Sequence, residues 1–139
     1  MTKIEREFGE WFNGLGIKNF SLSEVKRYFK RSRNTFPPKK YWRNIIRPIQ
    51  IVDMLRDSLG VPITITSSYR SPSYNRKVGG ARSSYHMQFM ALDIQSSKAS
   101  PTRIYNKLKS WRDVGLYKGG LKKYSSFVHI DTRGRNTTW

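Results

Sequence analysis

The chain has 139 residues and no cysteine, which bounds it to one ordinary domain and excludes disulfides, thiolate metal sites and cysteine nucleophiles. Lys and Arg number 27 against 9 Asp and Glu, a formal charge of +18, and such a field draws polyanions (nucleic acid, anionic envelope polymers) without defining a fold. No run of about 18 apolar residues is present to cross a membrane, and the charged start lacks the apolar stretch of a secretory signal, so synthesis in the cytoplasm is the expectation.

Phe8, Trp11, Phe12 and Leu15 stand at helical spacing and predict a helix over 5–15, broken by Gly14 and Gly16. Ser21 followed by Glu24 is a capping-box signature, and Val25, Tyr28 and Phe29 continue an apolar side to an expected end near Arg33. Pro37-Pro38 forces an extended link. A core helix is expected over 41–59, with Pro48 as a kink or early break and Gly60 as its stop. Residues 61–67, rich in β-branched side chains, predict a strand. Residues 69–85 read as a long loop of Ser, Arg, Asn and Gly, and 90–95 as a short strand. Ser100-Pro101 starts a helix to about Trp111. Gly115, Gly119 and Gly120 punctuate the stretch after it, and 126–132 alternates as a final strand. With no repeat or linker, the reading is one α+β domain. A small antiparallel sheet packs against helices, and a basic helical part over 1–37 precedes a core over 38–139.

The scarce acids point to chemistry. Beyond Asp57 only Asp93, Asp113 and Asp131 remain, and two of these accompany the chain's 2 histidines in the segments opened by His86 and His129. Neutral imidazole is the commonest metal-ligating side chain. His129 and Asp131, two apart on a strand, share a face. Asp93 lies on another short strand and His86 in the loop leading into it. If the two strands are neighbours, His86, Asp93 and His129 converge, and two histidines with a carboxylate and an open position compose a catalytic zinc site. These intervals are not the His-Glu-x-x-His helix signature, so spacing alone leaves ordinary histidines as the alternative. Most of the aromatic residues fall at core positions. Tyr69, Tyr74, Tyr85 and Tyr124 fall in the site loops as candidates to line a groove.

The segments around these residues come in a fixed order: Ser67-Ser68-Tyr69-Arg70-Ser71, Tyr74-Asn75, Val78-Gly79-Gly80-Ala81, Ser84-Tyr85-His86, Ala91-Leu92-Asp93-Ile94 and Phe127-Val128-His129-Ile130-Asp131. Together they resemble the zinc D-alanyl-D-alanine carboxypeptidase family, which includes phage endolysins and cell-wall endopeptidases and shares its fold with the hedgehog signalling domain. The resemblance runs from about residue 38 to 139. It implies Zn²⁺ held by His86, Asp93 and His129. It also implies Arg70 as the group that binds the substrate carboxylate or steadies the oxyanion, as a guanidinium fork is suited to do. On the substrate side it implies Ser84 bonding near metal or substrate, Asn75 ordering the loop, and Tyr85 in the groove, with Gly79 and Gly80 allowing tight turns. Two departures stand out. Phe89 occupies a position where many members carry Gly, and could narrow the pocket, shift the His86 loop or fill core space. Ser126 stands where several branches carry an acid as general base. Asp131 is then expected as the proton shuttle or as a partner that orients a ligand. Contact with the metal, or a salt bridge to Arg133 or Arg135, is the alternative.

The function expected is a zinc peptidase that cuts D-amino-acid-containing stem peptides of bacterial peptidoglycan. It would be phage-encoded, made in the host cytoplasm and active on the wall, with its charge serving adhesion to anionic envelope polymers. A non-catalytic cell-wall binding module on the same fold is the alternative, favoured by Phe89 and Ser126. A nucleic-acid binder rests on charge alone and predicts steep salt dependence.

Overall fold

In the computed structural model, which describes residues 1–139, the Thr2 hydroxyl accepts from the Glu5 amide and opens helix α1 (Lys3–Asn13), whose inward face carries Phe8 and Phe12. Ser21 and Glu24 form the expected capping box at α2 (Leu22–Val25). That helix lasts one turn instead of reaching Arg33. Its last carbonyl, Val25 O, accepts from the Ser68 hydroxyl at 2.9 Å, and the chain goes on in turns, where Tyr28 O accepts from the Arg31 amide at 3.2 Å and the Asn34 side chain at 2.9 Å. A tertiary bond at Val25 and local turns after it stand where the helical ladder was expected, and Val25 and Phe29 are buried all the same.

A 3₁₀ segment, Lys39–Ile45, runs into α3 (Ile46–Leu59). Pro48 sits in the first turn of α3, where a missing N–H costs nothing, so the expected break lies ahead of it at the 3₁₀-to-α junction. Gly60, at φ 64°, stops the helix as predicted. Strand β1 (Thr64–Ser67) is followed by α4 (Pro72–Lys77), inside the stretch expected to be a plain loop. Then come a 3₁₀ turn, Tyr85–Gln88, strand β2 (Ala91–Gln95), α5 (Pro101–Asp113), the short β3 (Leu121–Lys123), and β4 (Val128–Asp131).

The sheet runs in the order β1-β2-β4-β3, antiparallel throughout. Strand alternation divides its two central strands. Leu92 and Ile94 of β2 and Val128 and Ile130 of β4 enter the apolar core, while Asp93, His129 and Asp131 take the other face. Phe89 closes the 3₁₀ turn in the left-handed region (φ 55°, ψ 41°) and is wholly buried. Its ring centroid lies 6.0 Å from those of Phe8 and Phe29 and 6.1 Å from that of Tyr69. Phe89 thus fills core space, neither narrowing the cleft nor displacing the His86 turn, and α1 supplies one of its neighbours. No helix is long and apolar enough to cross a membrane.

Candidate metal centre

The pairing of β2 with β4 sets Asp93 directly opposite His129. The 3₁₀ turn before β2 brings in His86, whose Nδ1 lies 2.7 Å from the Ser68 carbonyl oxygen. A carbonyl only accepts, so Nδ1 carries the proton and Nε2 presents a lone pair. That Nε2 is buried without a hydrogen-bond partner, 3.1 Å from Asp93 Oδ1. On the far side, His129 Nε2 donates to Asp131 Oδ2 at 2.8 Å, leaving Nδ1 aimed at Asp93 Oδ1 at 3.0 Å. Ligand atoms of His86, Asp93 and His129, all buried, lie within 4.8 Å of one another. Inward lone pairs this close repel unless a positive charge sits among them, either a proton on an imidazole or a metal ion. The donor set and the orphaned nitrogen fit a divalent cation.

The titrations carry the same electrostatics. Burial alone would raise the Asp93 carboxyl, but attraction to the imidazoles of His86 and His129 on its two sides holds it well below the usual carboxylate range. Burial likewise opposes ionisation of Asp131, and bonds from His129, Arg133 and the Gly120 amide overcome it. Burial works against a charged His129, yet Asp131 and Asp93 on its two sides raise its pKa above the ordinary value. Metal binding displaces that proton, so acid weakens it.

Arg70 is spent largely on the centre itself. Its Nε donates to Ser67 Oγ at 3.1 Å, Nη1 to Asn75 Oδ1 at 3.3 Å and Nη2 to Asp93 Oδ2 at 3.3 Å. The outer oxygen of Asp93 is thereby fixed and Oδ1 left for a metal. Asn75 is buried and also donates to Ala81 O at 2.9 Å, so it braces Arg70 and the loop without bordering the cleft. A Cβ on Gly80 would collide with both Asn75 and Arg70, and Gly79 adopts φ 71°.

Asp131 lies deeper than a proton shuttle needs to be. It is wholly buried and accepts from the Gly120 amide (2.8 Å), the Arg133 amide (3.1 Å), the Arg133 guanidinium (2.7 Å) and His129. It does not border the cleft. Gly119 and Gly120, legible in the sequence only as punctuation, form its bed: a Cβ on either would strike Asp131. The sequence reading missed this bed, the Ser68 carbonyl, and Arg133 and Trp139 as cleft residues. A Gly-Gly pair just ahead of a short strand was the available signal.

A cleft of about 520 Å³ opens over His86, Asp93 and His129, bordered by Arg70, Ser84, Tyr85, Tyr124, Phe127, Arg133 and Trp139 among others. Two of the four tyrosines expected there, Tyr85 and Tyr124, reach it. Tyr69 instead packs in the aromatic core, and Tyr74 does not border the cleft. Asp93 is the only acid bordering the cleft, and Ser126 is exposed outside it.

Residues 18–131 match the profile of the family described as Peptidase M15, a span that begins ahead of the expected start at residue 38. The chain is 26% identical over 129 residues to the probable peptidoglycan L,D-endopeptidase MepK of Haemophilus influenzae, covering 88% of this chain and 67% of that protein.

Proposed function

The chain belongs to the Peptidase M15 family, and from that premise we propose that it hydrolyses peptide bonds of bacterial peptidoglycan with Zn²⁺ held by His86, Asp93 and His129. The observation that carries the reading is the buried, unpartnered Nε2 of His86, facing Asp93 Oδ1 beside His129 Nδ1. Two imidazoles and one carboxylate, without thiolate, compose a catalytic zinc donor set, whereas calcium and magnesium prefer all-oxygen shells. When bound, the metal supplies Lewis acidity toward the scissile carbonyl and brings the pKa of a water molecule to about 7.

The chain's own residues do the rest. Arg70 holds Asp93 in register and, bordering the cleft, has further N–H groups for a substrate oxygen. Ser84 accepts from the His86 amide at 3.2 Å and, with Tyr85, borders the substrate space. Asp131 takes the orienting one of its two expected roles, fixing the His129 tautomer so that Nδ1 faces inward. It is not proposed as the shuttle, since the His129 ring stands between it and the cleft. Residues 1–37 share the aromatic core through Phe8, so the whole chain is read as one peptidase unit. The basic surface suits adhesion to anionic envelope polymers, and the setting this reading favours is a phage-encoded hydrolase acting on its host's wall.

A second reading, a metal-holding wall-binding module without catalysis, draws on one observation: no acid other than Asp93 borders the cleft. Digestion of purified peptidoglycan separates the two. The expected result is release of fragments that stops with chelator, returns with added zinc, and falls at least about a hundredfold in His129→Ala. Equal release in all samples overturns the metallopeptidase reading. Stoichiometric zinc without release selects the binding module.

A further inference from the structure

Arg133 keeps one whole amino group uncommitted. Its Nε and Nη2 clamp both oxygens of Asp131 at 2.9, 3.2 and 2.7 Å, and Nη1 donates to nothing in the chain. Arg70, by contrast, has all three nitrogens engaged. The guanidinium of Arg133 also lies against two rings, its Cζ 4.4 Å from the Tyr85 centroid and 4.8 Å from that of Trp139. Trp139 in turn lies 5.2 Å from the His129 ring, which puts Arg133 beside the metal centre and on the border of the cleft. Lys122 extends the same wall, stacked over Tyr124 at 5.0 Å and Trp139 at 5.9 Å.

A brace for Asp131 needs neither two rings against its guanidinium nor an open edge. The two rings keep water from much of the guanidinium and Asp131 fixes one edge, so the remaining donors point in a set direction before any ligand arrives. Preorganised donors lose little freedom on binding. Asp131 does not cancel them, because its charge is already shared with His129 and two backbone amides. The only acid bordering the cleft, Asp93, is taken by the metal centre and Arg70, so nothing of the chain's own competes for Nη1.

We propose that Arg133 is an anion-binding group of the cleft. It takes a free carboxylate of the peptide substrate beside the scissile bond and discriminates against the corresponding carboxamide. This rests on the peptidase reading and adds the substrate's charge to it. The test uses a stem tetrapeptide with its scissile amide reduced so that it is not cleaved, made with free carboxylates and with every carboxylate as carboxamide. Both are bound calorimetrically to the zinc-supplied full chain. The free form is expected to bind roughly tenfold tighter, as befits one charge-assisted hydrogen-bonding contact. That ratio falls to near one in Arg133→Gln and is partly kept in Arg133→Lys. Because Arg133→Gln also loosens Asp131, Trp139→Ala serves as the second variant: it removes one stacking face without touching Asp131 and is expected to lower the ratio severalfold. Equal binding of the two peptides by the unaltered chain overturns the proposal, as does a tenfold ratio that survives in Trp139→Ala and in whichever Arg133 variants fold. If the ratio holds while zinc-loaded chain releases nothing from peptidoglycan, the peptidase reading fails and the anion site stands.

Discussion

Asp93→Asn is expected to eliminate zinc binding and wall hydrolysis together, with at least about a hundredfold loss of zinc affinity, beyond what removal of an outer partner produces. Every charge of the centre meets at this carboxylate. His86 Nε2 lies 3.1 Å and His129 Nδ1 3.0 Å from Oδ1, and Arg70 holds Oδ2. Asn keeps the shape and removes the charge, so packing is preserved and the loss is electrostatic. In the metal-free chain the same change leaves buried positive charge without its counterion, at a cost of about 3–5 kcal/mol. The sign with pH comes from the lowered carboxyl. Its stabilisation is complete above the unfolded value, about pH 4, and is lost as the pH falls from there toward the lower folded value. Urea unfolding of Asp93→Asn should therefore show a flatter acid limb than that of the unaltered chain. Calorimetric zinc titration should rank the unaltered chain first, Asp131→Asn next at about 10–100-fold weaker, and Asp93→Asn last. Equal losses in the two variants would contradict the orienting role of Asp131.

Phe89→Ala is expected to destabilise the fold by about 3–5 kcal/mol, the range for losing a wholly buried aromatic ring. Phe89→Gly should cost roughly 1 kcal/mol less although it removes more. The reason is the backbone: at φ 55° the residue sits where a Cβ crowds the following carbonyl, a strain of about 1–2 kcal/mol that glycine does not feel. The unaltered chain tolerates the strain because the ring packs edge-on against Phe29 and Tyr69 and beside Phe8. Urea unfolding of the two variants gives the comparison. Greater stability of Phe89→Ala than of Phe89→Gly would contradict the left-handed strain. The same geometry lets Phe89 fill core space while His86, Asp93 and His129 keep their mutual approach.

That His86, Asp93 and His129 lie together was legible because their segments obey local rules. His129 and Asp131 two residues apart on a strand must share a face, and the observed 2.8 Å bond between them is a consequence of that period. Placing Asp93 opposite His129 required that β2 and β4 pair in one register, a tertiary fact the sequence left conditional. The start of α2 was readable in Ser21 and Glu24, but its length was not, because Ser68, 43 residues away, takes the Val25 carbonyl. Helix α4 was legible and overlooked: Ser71-Pro72 is the same start signal as Ser100-Pro101, and each serine accepts from the amide three residues on. The depth of Asp131 could not be read, since it comes from Gly119 and Gly120 crossing against β4 and from Arg133 folding back over it.

Anomalous diffraction at the zinc absorption edge, from crystals grown with the metal, tests the centre most directly. The predicted result is a single strong peak at roughly 2.0–2.2 Å from His86 Nε2, Asp93 Oδ1 and His129 Nδ1, with Asp131 still bonded to His129 Nε2. A peak bound through His129 Nε2, a peak on other residues, or no peak at all would contradict it.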